Sequence, residues 1–86
     1  MTEIEILEGV KQVLREHLAV RDEVHAETHL AKDLALDSLK QLTLVVEIEN
    51  YFKICFDPGD EEGVRTLGDV VLLVAQRLSA EARDGR

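Results

Sequence analysis

The sequence predicts an all-α fold, a four-helix bundle of three long helices and one short one, with a long first loop. Three observations carry that expectation. Apolar residues recur at three- and four-residue steps in three separate stretches. Only 5 glycines and 1 proline interrupt the chain, too few for turn-rich β structure. With 86 residues, one core must serve the whole chain. A chain of this size hides roughly 60% of its unfolded surface, enough for a small bundle but not for a deeply walled enzyme site.

The first helix is expected over about residues 3–18. Thr2 and Glu5 have the spacing of a capping box. Ile4, Leu7, Val10, Leu14 and Leu18 form its apolar stripe, widened by Ile6 and Val13. Residues 19–37 hold no sustained period and read as a connection, pinned across the bundle by Leu30, Leu34 and Leu36. Such length in a compact domain hints at a functional surface. Asp37 is the natural cap of a second helix from Ser38 to about Phe52. Its apolar residues cover more than one narrow stripe, which places some of them, Leu39 included, at the edge of the buried face or outside it. Pro58 and Gly59 suit a type II turn. Asp60 to Val64 fits one short helical turn ended by Gly63. Thr66 and Asp69 repeat the capping spacing before a last helix from Leu67 to about Leu78. Leu67, Val70, Val71, Val74 and Leu78 share its apolar face, and the polar tail after Ser79 is expected to fray. One domain over residues 1–86, with its core at about 3–80, accounts for the chain.

Charge and composition exclude several functions. Ten basic and 18 acidic residues leave a net charge of −8, which disfavours phosphate backbones and favours basic protein surfaces. Aromatics at 3% give no base-stacking platform. The longest apolar run, Val70 to Ala75, is far too short to span a membrane. Acids at Glu3, Glu5 and Glu8 do not resemble a targeting leader, and one cysteine allows no internal disulfide. A cytoplasmic location and a monomer fit these features. Cys55, between Ile54 and Phe56, reads as a small buried apolar residue. His25 and His29 are four apart in a segment read as loop, so they form no metal site. Asp57, Asp60, Glu61 and Glu62 read as a solvated acidic corner rather than a calcium loop.

Ser38 is the residue that stands out. A serine in the first turn of a helix sits among free backbone N–H groups at the positive end of the dipole, which tolerates a phosphate ester well. No histidine or Gly-x-Ser-x-Gly turn offers it a base, so no catalytic residue is assigned. Ser38 would receive a group rather than attack a substrate. The plain alternative is that Asp37 and Ser38 only start a helix.

The run Asp33-Leu34-Ala35-Leu36-Asp37-Ser38-Leu39 continues through Leu42, Leu44-Val45, Glu47-Ile48-Glu49 and Phe52 to Thr66-Leu67-Gly68-Asp69-Val70-Val71. This pattern resembles the acyl and peptidyl carrier protein family over about residues 4–78. The resemblance implies an acyl-carrier-like four-helix bundle and a covalent 4′-phosphopantetheine, taken from coenzyme A, on Ser38. It implies three kinds of partner: a phosphopantetheinyl transferase, a loading ligase or acyltransferase for acyl or aminoacyl cargo, and synthase enzymes. A carrier of this kind is not itself an enzyme. Leu39, Leu42 and Val46 would centre its docking face, with Asp37, Glu47 and Glu49 as the charged rim, against plain core packing as the alternative for the apolar three. Two departures stand out. Ala35 occupies a position where the family usually has glycine. Lys40, Thr43 and Asn50 stand where fatty-acid carriers usually show acids. The expectation is therefore a discrete carrier in a polyketide, nonribosomal-peptide or modified fatty-acid pathway. A housekeeping fatty-acid carrier and an unmodified helical adaptor are the alternatives.

Overall fold

The computed structural model describes residues 2–57 and 59–83. Among them are three α-helices: α1 (Glu3–Leu18), α2 (Ser38–Phe52) and α3 (Leu67–Arg83). The short fourth piece is a 3-10 turn, Asp60–Gly63, rather than an α-helix.

The start of α1 follows from two reciprocal bonds. The Thr2 hydroxyl accepts the Glu5 N–H at 3.2 Å, and the Glu5 carboxylate accepts the Thr2 N–H at 2.8 Å. That backbone bond also holds the Glu5 carboxyl below its ordinary pKa. The buried side of α1 is Ile6, Gly9, Val10, Val13 and Leu14. Ile4 departs from the stripe expected for it and stands 75% exposed. The heart of the stripe has instead moved to Ile6, Val10 and Val13, because α1 packs along both α2 and α3 and must bury a broad arc.

Gly9 sets how closely α1 and α2 approach. A Cβ there would lie 2.6 Å from Cζ of Phe52 and 2.9 Å from Cε1 of Tyr51. The Phe52 ring therefore fills the space that any side chain at residue 9 would need. At the other end of this contact, His17 Nε2 lies 3.5 Å from Glu47 Oε1.

Residues 19–37 are held by their apolar members, with Val24, Leu30 and Leu36 buried and Leu34 half-buried. The segment is also stitched to the start of α3. Leu30 N–H donates to Arg65 O at 2.9 Å, Leu67 N–H to Thr28 O at 3.0 Å, and Gly68 N–H to Ala26 O at 2.7 Å. After α2, Ile54 is buried and Phe56 half-buried, but Cys55 is exposed, contrary to the buried place its neighbours suggested. The chain has left α2 here, burial alternates along Ile54, Cys55 and Phe56, and Cys55 takes the outward position. Gly59 has φ 93°, the left-handed value a type II turn asks of its third residue; Pro58, its expected partner in that turn, lies outside the described residues. Arg77 closes this corner, its Nη2 lying 2.7 Å from Asp57 Oδ2 and 2.8 Å from Asp60 Oδ2. The bond to Asp57 raises its pKa further.

α3 begins with a second reciprocal cap, Thr66 with Asp69. The Asp69 carboxylate also takes the Arg65 N–H at 3.0 Å. Those N–H bonds, Arg65 first and Thr66 second, hold its pKa below the ordinary value. The helix runs to Arg83, past the expected end near Leu78, since the stretch from Ser79 to Arg83 contains no glycine or proline to stop it. The fraying expected of the tail falls partly on residues 84–86, which lie outside the described residues.

Candidate functional site

α2 starts differently from the other two helices. Asp37 caps it, its Oδ1 accepting the Lys40 N–H at 2.9 Å. At the position where α1 and α3 place Glu5 and Asp69, α2 has Lys40, which cannot return the bond. No acidic residue lies in its first turn. The N–H groups of Ser38 and Leu39 have no protein acceptor among the described residues. Asp37 thus takes one donor of this helix end and leaves two open, and Ser38, the first residue of α2, is exposed beside them.

The approach to Ser38 is ordered by local bonds. Gln41 Nε2 donates to Leu36 O at 2.8 Å, tying the preceding segment to the first turn. Ala35 has φ 56°, in the left-handed region, so this alanine adopts the conformation for which a glycine would be the ordinary choice.

An apolar cavity of about 290 Å³ opens next to Ser38. It lies between α2 and α3, where Leu30, Phe56 and Val64 from the connections close the gap. Ser38 and Gln41 are its polar lining residues; Leu42, Val45 and Leu73 are among the apolar ones.

The residues expected to dock partners divide by position. Leu39, Leu42 and Val46 are 72%, 53% and 43% exposed, and their three- and four-residue spacing puts them on one stripe with Ser38. Asp37 is exposed at its head. Glu49, three residues after Val46 and seven after Leu42, continues that stripe, whereas Glu47 lies to one side of it, and each is already engaged. Glu47 faces His17 of α1, and Glu49 Oε2 accepts the Phe56 N–H at 2.8 Å. No local pattern signals that second bond, which joins residues seven apart across the end of a helix. His25 and His29 bring no metal cluster together; among the described residues no three side chains of metal-ligating type gather.

Comparison with known proteins decides the family. A family model described as the phosphopantetheine attachment site matches residues 8–74, well over half the chain. The chain belongs to the acyl carrier protein family. It is similar to acyl carrier protein 2 of Ralstonia nicotianae, 35% identical over 81 residues, covering 93% of this chain and all of that one. It is similar also to an acyl carrier protein of Thermotoga maritima, 36% identical, covering 86% of this chain and 93% of that one. A solved structure from Mycobacterium tuberculosis, described as an acyl carrier protein, matches with a TM-score of 0.77 and 31% identity. That match covers 83% of this chain and 96% of the other. The prosthetic group of this acyl carrier protein is a covalently attached 4′-phosphopantetheine. Acyl carrier proteins are carriers rather than catalysts, and their partners include transferases and synthases. Among the described residues no helix is long and apolar enough to cross a membrane.

The residues around Ser38 fit a phosphate-linked group. The hydroxyl-bearing residue is exposed, the first turn carries no acid to repel a phosphodiester, and the dipole favours one.

Proposed function

We propose that Ser38 carries the 4′-phosphopantetheine, and that residues 1–86 act as one monomeric, cytoplasmic carrier domain in a specialised biosynthetic pathway. When bound, the group supplies a terminal thiol that holds cargo as a thioester. The chain's own contribution is to present Ser38 at an open helix start, to order the backbone before it through Gln41 and Leu36, and to offer the Leu39, Leu42 and Val46 stripe to partners. The observation that carries the assignment is the start of α2, which alone of the three α-helices among the described residues has an unreciprocated cap, with an exposed serine at its first residue.

The cavity beside Ser38 favours acyl over aminoacyl cargo. Its lining is apolar apart from Ser38 and Gln41, so it offers nothing to a buried ammonium, whose desolvation is costly. A specialised pathway is supported by the character of α2. Lys40, Thr43 and Asn50 leave its outer side with less acid than the fatty-acid pattern, and Glu47 and Glu49 are partly occupied by His17 and Phe56.

The test is intact-mass measurement after incubation with coenzyme A and a phosphopantetheinyl transferase. One pantetheine adduct is expected, absent from Ser38→Ala and retained in Ser79→Ala. A chain left bare by several competent transferases would make it an unmodified adaptor. Loading and elongation by housekeeping synthase enzymes at the rate of a standard carrier would overturn the specialised assignment alone.

A further inference from the structure

Six large apolar side chains are exposed among the described residues: Ile4, Leu39, Leu42, Val46, Tyr51 and Leu72. Four belong to α2. The other two, Ile4 at 75% and Leu72 at 52%, belong to α1 and α3 and line the same groove. The groove has a volume of about 410 Å³ and lies between the first turns of those helices, with Leu7 and Val71 beside the exposed pair. No residue of α2 lines it, so it is separate from the Ser38 face and from the cavity beside it. Ile4 and Leu72 side by side in one groove leave apolar surface that a partner could cover.

The charge around the groove selects the occupant. Its charged lining residues are Glu3 and Asp69, and both are acidic. A second copy seated symmetrically would set these carboxylates against their own kind, on chains that each carry −8. An anionic lipid surface is disfavoured by the same sum. We propose that this groove is a second docking surface, which takes an apolar side chain flanked by lysine or arginine on a protein partner. Such a partner can hold the protein while the Ser38 face stays free for others. The inference does not depend on Ser38 being modified.

The test uses the full chain, isotopically labelled for NMR, and a synthetic helical peptide with a leucine stripe bordered by lysines. Shift changes are expected at Ile4, Leu7, Val71 and Leu72, with Ser38, Leu39 and Leu42 unmoved. The double variant Ile4→Gln/Leu72→Gln alters only exposed side chains, and circular dichroism would verify that it stays helical. It should weaken binding at least about tenfold. The same peptide with glutamates for lysines should bind more weakly still, and added salt should weaken the lysine peptide. Lack of binding, a footprint on α2 instead, or equal affinity of the double variant would overturn the proposal. Self-association abolished by the double variant would reassign the groove to a second copy. Binding to phosphatidylglycerol vesicles, abolished likewise, would reassign it to a membrane.

Discussion

The two ends of α2 are built to opposite specifications. The C-terminal end is locked: Phe52 fills the space over Gly9, Glu49 holds the Phe56 N–H, and Lys53 turns the chain with φ 59°. The N-terminal end has one cap, no acid in its first turn and an exposed serine. The contrast separates two jobs along 15 residues of one helix. One end anchors the helix to α1 and the following loop, and the other leaves its backbone donors and a hydroxyl to solvent.

That separation makes the effects of substitution at the two ends distinct. Ser38→Ala should abolish the pantetheine adduct completely while leaving the urea midpoint within about 0.5 kcal/mol of the parent, as for other exposed changes. A large loss of stability in that variant would mean the open end is also an anchor. Gly9→Val should do the reverse. Forcing a branched side chain against Phe52 should cost about 2–3 kcal/mol in urea unfolding, with modification of the remaining folded protein intact. Glu49→Ala, which strands the Phe56 N–H, should cost about 1.5 kcal/mol by the same measurement.

Much of this division was legible in the sequence. Thr2 with Glu5, Asp37 alone, and Thr66 with Asp69 gave the three helix starts, because a cap is a local event between residues three apart. The contrast between reciprocal and single caps was readable as well, from Lys40 standing where the others have an acid. What was not legible depends on tertiary approach. Ile4 matched the stripe of α1 but is exposed, since the arc buried by two neighbouring helices is set by where they cross. The close approach at Gly9 likewise emerges only when the Phe52 ring is packed over it. The bond from Phe56 to Glu49 and the fork of Arg77 on Asp57 and Asp60 join segments that no local rule pairs. The cavity beside Ser38 is made by four segments at once, and no periodicity encodes it.

The start of α3 sharpens the comparison further. Asp69 is held below its ordinary pKa by the N–H groups of Arg65 and Thr66. Its contribution is therefore full above the unfolded pKa, and is lost as pH falls through the depressed folded value. Urea midpoints should decline with acidification below the ordinary aspartate range, and Asp69→Asn should flatten that decline. α2 offers the smallest effect. Lys40→Glu supplies the missing partner to its cap and removes a cation from the dipole's positive end, which should raise stability by about 0.5 kcal/mol. An unchanged midpoint would show that the lack of an acid at residue 40 is not what leaves that end weaker.

Ala35 gives this open end a further property. Its backbone is left-handed, a region that a residue with a β-carbon enters at a cost of about 1–2 kcal/mol, whereas glycine enters it freely. Glycine here would make the run into Ser38 a swivel. Alanine keeps that rotation only because its surroundings hold it, the Leu36 N–H bond to Leu30 O at 3.0 Å among them. A group mounted on Ser38 would then stand on a backbone fixed on both sides, by the bond at Leu36 before it and the first turn of α2 after it.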